Sequence, residues 1–113
     1  MKKATKVMAL AAAMVMLAGT LTACGGSDKG GKLTFGTNAE FPPFEFVASE
    51  GVIDQYDGID MAIAKNIAEQ NGMTAAIENM EFDSLLVALQ NGQIDAVIAG
   101  MTATDETRET VDF

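Results

Sequence analysis

The sequence offers few side chains that are suited to catalysis. It contains one cysteine, Cys24, and no histidine among its 113 residues. A lone cysteine cannot form a disulfide within the chain, and the lack of histidine excludes histidine-based catalysis and histidine-ligated metal sites for this chain. The 16 acidic residues are scattered, which is typical of a solvated surface. We expect neither a cofactor nor a metal. The remaining candidates are Cys24 and the polar residues that follow predicted strands.

Cys24 follows a segment that is typical of an export signal. Residues 1–6 carry three lysines and no acid, and residues 7–18 form a short apolar run. This run is well below the roughly 20 residues of a membrane-spanning helix. The alternative, a short buried helix, is disfavoured because the run has no polar face.

The last four residues of this segment carry more specific information. Leu21-Thr22-Ala23-Cys24 resembles the lipobox of bacterial lipoproteins, which implies a diacylglyceryl group on the Cys24 thiol and cleavage before Cys24. Two acyl chains make a stable anchor, whereas one chain binds reversibly. We expect residues 1–23 to be a lipoprotein signal peptide. The mature protein is then extracytoplasmic and anchored to the cell membrane through Cys24.

The region after the predicted signal is strongly acidic. Residues 1–23 hold three of the seven basic residues and none of the 16 acidic ones, so residues 24–113 carry a formal charge of −12. This balance disfavours polyanions, and we expect no nucleic-acid partner. Residues 24–31 are rich in glycine and predict a flexible tether, with folded sequence beginning at Lys32.

Strands and helices are predicted to alternate from Lys32 onward. Apolar patterns predict strands over 33–37, 73–77 and 94–99, and the last run is apolar enough to be buried on both faces. The paired prolines at 42–43 predict a loop over 38–44. Second and third helices are predicted to begin at 83–84 and at Thr104, the latter as a capping residue before an acidic first turn.

The first helix is predicted between the first two of these strands. Asp60 is its predicted N-cap, and Gly72 after Asn71 is its predicted end. Its apolar stripe is formed by isoleucines four residues apart with alanines beside them, namely Ile59, Ile63, Ile67, Ala64 and Ala68.

This order of elements predicts a βαβαβ unit. Right-handed crossovers then give a largely parallel sheet with helices on both faces. Ligands of such sheets bind at the carboxyl ends of the strands. Those ends are predicted at 37–38, 80–82 and 99–102.

Three segments resemble a known family. Residues 36–46, 56–60 and 95–106 are similar to the extracellular solute-binding proteins of polar amino-acid ABC importers, and the resemblance covers 32–113. It implies a periplasmic-binding-protein-like fold of two α/β lobes, which capture a polar amino acid by hinge closure and deliver it to a permease. Residues 32–113 are then the first half of lobe one. The chain ends where its third helix would lead into another strand, so we expect a truncated sequence.

The resemblance also implies roles for residues at the strand ends. Asn38 matches a position that reaches toward polar groups of the ligand, although it could instead form a local turn. Phe41 and Phe82 match aromatic positions on opposite walls of the pocket, with ordinary packing as the alternative. Gly100 and Thr102 match positions that bind the α-carboxylate, with a plain strand-to-helix turn as the alternative. At this carboxylate site, the start of the following helix would add backbone N–H donors.

One position departs from the family pattern. Relatives usually place an arginine directly after Thr-x-Glu, where it holds the ligand carboxylate through two hydrogen bonds. Here Thr107 occupies that position and Arg108 follows it. One residue turns a helical side chain by about 100°. Two alternatives stay open: Arg108 binds the carboxylate from its shifted position, or it is a surface residue.

Two other function classes share this fold. One is an enzyme of the dehydratase type, which would need an acid or base in the cleft. The other is the sensor domain of a membrane receptor. The lipobox argues against a sensor, since a lipid anchor replaces a membrane-spanning segment. We therefore expect a binding protein and not an enzyme.

Overall fold

The computed structural model describes residues 31–113, so the predicted signal peptide, Cys24 and most of the predicted tether lie outside the described residues. The strands are β1 (Lys32–Thr37), β2 (Glu40–Phe41), β3 (Glu45–Val47), β4 (Tyr56–Asp57), β5 (Thr74–Asn79) and β6 (Ala96–Val97). The helices are α1 (Ile59–Gln70), α2 (Leu85–Gln90), which follows a 3₁₀ turn at Phe82–Ser84, and α3 (Asp105–Arg108). None of these helices is long and apolar enough to cross a membrane.

A parallel sheet in the order β5-β1-β6 forms the centre of this region. β1 pairs with β5 from Lys32↔Thr74 to Thr37↔Asn79, and it pairs with β6 at Phe35↔Ala96 and Gly36↔Val97. The predicted parallel βαβαβ order is confirmed. β6 is shorter than the predicted strand over 94–99, although backbone hydrogen bonds to β1 continue on both sides of it, from Asp95 N–H to Thr34 O and from Ile98 N–H to Gly36 O.

Helix α1 packs on one face of the sheet through small side chains. Its buried residues are Met61, Ala64 and Ala68. They share an apolar cluster with Phe35 of β1 and with Ile53. Burying alanines beside Met61 allows the helix axis to lie close to the sheet.

The predicted isoleucine stripe does not face this core. Ile59, Ile63 and Ile67 are between 41 and 51 % exposed, so that part of the prediction is wrong. The isoleucine repeat and the alanine repeat run side by side about 100° apart on the helix. Periodicity alone could not tell which of the two adjacent repeats contacts the sheet.

The ends of α1 agree only in part with the prediction. The N-cap is Gly58 rather than Asp60, and no side chain caps the helix. Asp60 lies in the first turn, where its backbone N–H donates to the carbonyl oxygen of Phe44 at 2.9 Å. The C-terminal end is as predicted, with Asn71 as the C-cap.

Helix α2 covers the opposite face of the sheet. Leu85 and Ala88 are buried there, and the neighbouring Ile94 is also buried. A Cβ on Gly36 of β1 would clash with Ile94 and would lie 3.1 Å from Leu85 Cδ2. The absence of a side chain at Gly36 therefore allows the helix and its following turn to approach the strand.

A second, antiparallel sheet has the order β2-β3-β4, and its strand β2 lies within the loop that was predicted over 38–44. Glu40 pairs with Phe46, and Phe41 pairs with Glu45. The two prolines sit in the turn between these strands, joined by a cis peptide bond. Because the prolines occupy the turn, they do not interrupt the pairing, and this is why the loop prediction failed for Glu40 and Phe41.

Candidate ligand-binding site

A cavity of about 380 Å³ opens at the carboxyl ends of the parallel strands. Three of the predicted site residues line it: Phe82, Gly100 and Thr102. The remaining lining residues are Asp83, Leu86, Met101, Thr104 and Thr107. The cavity thus combines an aromatic ring, apolar side chains and several threonine hydroxyls.

Asn38 joins two strand ends instead of lining this cavity. Its side-chain Nδ2 donates to the carbonyl oxygen of Met80 at 3.1 Å. On the neighbouring strand end, Asn79 Oδ1 accepts the backbone N–H of Ala39 at 2.8 Å. These reciprocal bonds between the ends of β1 and β5 hold the segment that leads into Phe82.

Phe41 reaches Gly100 from the small antiparallel sheet. Its side chain is 54 % exposed, and a Cβ on Gly100 would lie 3.5 Å from Phe41 Cδ1. Gly100 has φ +57, a left-handed conformation that favours glycine. The Phe41 ring also packs on Phe44, with ring centroids 5.2 Å apart. The structure therefore brings Phe41, Gly100, Thr102 and Phe82 to one edge of the sheet.

Thr107 is a cavity residue that the sequence did not identify as such. It forms a capping box with Thr104: Thr107 N donates to Thr104 Oγ1 at 3.2 Å, and Thr104 N donates to Thr107 Oγ1 at 2.9 Å. The predicted cap at Thr104 is confirmed. The box also uses two N–H groups that the sequence suggested for a ligand. A Thr-x-x-Thr spacing was the available signal.

Arg108 points away from this group of residues. Its Nε donates to the carbonyl oxygen of Ala103 at 3.4 Å, and its guanidinium carbon lies 5.9 Å from the centre of the Phe113 ring. It is exposed and does not line the strand-end cavity. The structure does not bring Arg108 together with Phe82, and a role in ligand binding stays a prediction.

Glu45 is buried beside the site and was not among the predicted residues. It is 1 % exposed, and its Oε2 has no hydrogen-bond partner among the described residues. Burial is the main cause that raises the pKa of Glu45 from 4.5 to about 7. The Asp60 side chain raises it further, by accepting a hydrogen bond from the protonated Glu45 carboxyl and through its negative charge. An acid between two phenylalanines in a hairpin was the only sequence signal.

The chemistry of the cavity suits the binding of a small polar molecule. Exposed aromatic rings offer an apolar surface that also attracts cations. Hydroxyl groups can donate and accept hydrogen bonds. Residues 31–113 contain no group of three or more potential metal ligands.

A larger cavity of about 800 Å³ runs along β6 between α2 and residues 110–113, and it shares Gly100 and Met101 with the strand-end cavity.

The parallel α/β fold agrees with the similarity of this chain to known proteins. Residues 33–113 match the model of a family described as bacterial extracellular solute-binding proteins, family 3. The chain belongs to this family. The curated arginine-binding extracellular protein of Bacillus subtilis is 38 % identical in an alignment of 112 positions, which covers 95 % of this chain and 42 % of that protein. The chain therefore spans less than half the length of this family member.

Two solved structures of the family are also similar. An ancestral arginine-binding protein bound to arginine has a TM-score of 0.68 and 44 % identity, over 74 % of this chain and 35 % of that one. The arginine-bound form of domain 1 from TmArgBP has a TM-score of 0.65 and 40 % identity, over 70 % of this chain and 60 % of that domain. The relative and these two structures are described as binding proteins and not as enzymes.

Proposed function

We propose that this chain belongs to the substrate-binding component of an ABC importer that captures a polar amino acid, with arginine as the first candidate. The observation that carries the proposal is the convergence of Phe82, Gly100 and Thr102 on one cavity at the carboxyl ends of the strands. This is where an open parallel sheet binds its ligand. The arginine-binding relative and structures support the choice of ligand class.

The side chains around the cavity fit the parts of an amino acid. Thr102 and Thr107 offer hydroxyl groups to an α-carboxylate. Phe41 and Phe82 are exposed rings that could pack against a guanidinium group, a contact worth about 0.5–2 kcal/mol. The formal charge of −12 on residues 24–113 favours the approach of a cationic ligand over an anionic one.

Ligand capture would need a second lobe. Because the chain spans 42 % of its relative from Bacillus subtilis, we propose that residues 32–113 are the first part of lobe one in a two-lobed protein. Hinge closure would then follow from ligand contacts with both lobes. The arginine-bound structure of domain 1 from TmArgBP supports the idea that lobe one supplies a primary set of contacts.

We also propose that Cys24 carries the membrane anchor, after removal of residues 1–23. A tether over 24–31 would keep the binding domain close to its permease and raise its effective concentration there. Labelling of cells with radioactive palmitate tests this: the wild type should incorporate label. The Cys24→Ser variant should not, and equal labelling of both would reject the anchor.

A thermal-shift screen of the full-length protein against the 20 common amino acids tests the binding function. A ligand at 100 times its Kd stabilises the folded state by about 2.7 kcal/mol, so one or a few polar amino acids should raise Tm by several degrees. Phe82→Ala should reduce the shift. Phe113→Ala is the matched control, because Phe113 is also exposed but lies outside the strand-end cavity. A panel without any shift would reject the proposal.

A further inference from the structure

Glu45 is one of the largest fully buried side chains of the described region, although it is an acid. Its residue is 1 % exposed, and no donor among residues 31–113 reaches its Oε2. An ionised carboxylate in such a place would lack both water and hydrogen bonds, which is costly. A neutral carboxylic acid has a proton to donate and avoids most of that cost.

A suitable acceptor lies next to Glu45. The Asp60 side chain of α1 is within hydrogen-bonding reach of the Glu45 carboxyl. Two carboxyl groups can share a hydrogen bond only if one of them keeps its proton. Glu45 is the group that keeps the proton, because it is fully buried whereas Asp60 is partly exposed and lies in the first turn of α1, where the helix dipole favours a negative charge. The pKa of Glu45, which burial and then Asp60 raise to about 7, agrees with this assignment.

Among residues 31–113, no lysine or arginine forms a salt bridge with Glu45 or Asp60. Asp60 on α1 is the titratable group that faces Glu45. The cross-strand partner of Glu45 on β2 is Phe41, and the loop after β6 presents Gly100 to its Oε1, where a Cβ would lie 3.8 Å away. Glu45 is therefore in contact with the elements that carry two of the candidate ligand-binding residues.

The backbone links the same elements. Ile59 N–H donates to the carbonyl oxygen of Pro43 at 3.1 Å, and Asp60 N–H donates to that of Phe44 at 2.9 Å. The start of α1 is thus bound to the hairpin that carries Phe41. The carboxyl pair adds a side-chain contact between this hairpin and α1, next to Gly100.

We propose that Glu45 is a positioning residue of the ligand site, held as a neutral carboxylic acid that donates a hydrogen bond to Asp60 and so fixes the Phe41 hairpin and the Gly100 loop against α1. The inference rests on the proposed amino-acid binding function for its effect on affinity. Its effect on local order does not depend on any ligand.

The test uses the full-length protein with Glu45→Ala, Glu45→Gln and Glu40→Gln. Glutamine keeps a neutral donor for Asp60, whereas alanine removes it. Glu40 lies on β2 and is exposed, so its variant makes the same chemical substitution without touching the buried pair. Hydrogen exchange without ligand and the Kd of L-arginine, or of the amino acid that gives the largest thermal shift, are measured at pH 5 and pH 8.

At pH 5 we expect Glu45→Ala to accelerate exchange over residues 40–46 and 99–102 and to weaken binding, each by about tenfold or more. Glu45→Gln and Glu40→Gln should match the wild type. Between pH 5 and pH 8 the wild type should lose affinity, whereas Glu45→Gln should keep it at both pH values. This rescue and pH profile separate a neutral donor from a merely space-filling side chain.

Different failures have different meanings. If the wild type binds no amino acid, the proposed function is wrong, and hydrogen exchange alone decides the role of Glu45. Unchanged exchange over 99–102 in Glu45→Ala would overturn the positioning role even in a protein that binds arginine well. Equal pH profiles for the wild type and Glu45→Gln would overturn the neutral state of Glu45.

Discussion

The buried acid Glu45 should make the stability of this protein depend on pH in an unusual direction. The pKa of Glu45 is raised in the folded state from 4.5 to about 7, mainly by burial and further by Asp60. The folded state therefore holds a proton that the unfolded state releases. The stabilising contribution of this proton is fully present below the unfolded pKa and is lost as the pH rises through about 7.

The magnitude follows from the same two values. A pKa displaced from 4.5 to about 7 corresponds to about 3 kcal/mol, because each pH unit is worth about 1.4 kcal/mol. The free energy of unfolding of the wild type, minus that of Glu45→Gln, should fall by this amount between about pH 4.5 and pH 7. It should be constant outside that range, since the glutamine variant has no proton to lose.

Urea unfolding of both proteins at half-unit steps from pH 4 to pH 8 measures this difference. Subtracting the variant cancels the titration of all other groups that the substitution leaves alone. Glu40→Gln, which changes an exposed acid of the neighbouring strand, is the control for the loss of a carboxyl group outside the buried pair. If the free energy of unfolding of the wild type minus that of Glu45→Gln does not change with pH, or grows with pH as for an ion-paired carboxylate, the argument is refuted.

Four other substitutions test separate parts of the structure. Gly100→Ala should cost about 1–2 kcal/mol, because φ +57 disfavours a Cβ, and calorimetry should show weaker ligand binding; unchanged binding would mean that the loop is not part of the site. Thr107→Val should remove one of the two hydrogen bonds of the capping box, that from Thr104 N–H to Thr107 Oγ1, costing about 1 kcal/mol, and hydrogen exchange should then be faster in α3 alone. Arg108→Ala should leave the ligand Kd within about twofold, since Arg108 does not line the strand-end cavity; a large loss would show that Arg108 moves into the site. Leu85→Ala should destabilise by about 2–5 kcal/mol in urea unfolding, because Leu85 is fully buried and its loss leaves a cavity.

The parallel sheet could be predicted from the sequence because its signals are local. Apolar runs gave the three strands, and the Asn-Gly pairs at 71–72 and 91–92 marked the ends of both crossover helices. The position of the cavity followed from a general rule about the carboxyl ends of parallel strands. These predictions needed no knowledge of which side chains meet in space.

Other features depend on contacts between distant parts of the chain. The alanine side of α1 packs against Phe35 of β1. Periodicity alone does not show which side of a helix contacts the sheet. The strand at Glu40–Phe41 depends on its partner at Glu45–Phe46. The burial of Glu45 depends on the distant Gly100 loop, and a charged residue in sequence ordinarily predicts an exposed one.

An amino acid should bind at the carboxyl ends of β1, β5 and β6. Backbone amide chemical shifts of the full-length protein during titration with L-arginine, or with the best ligand of the screen, show where it binds. We predict that the largest shifts within residues 31–113 occur at Asn38, Gly100, Thr102 and Thr107, and that they saturate together. Shifts confined to the opposite end of the sheet, at the amino ends of β1 and β5 around Lys32 and Thr74, would mean that the ligand does not bind at the carboxyl ends of the strands.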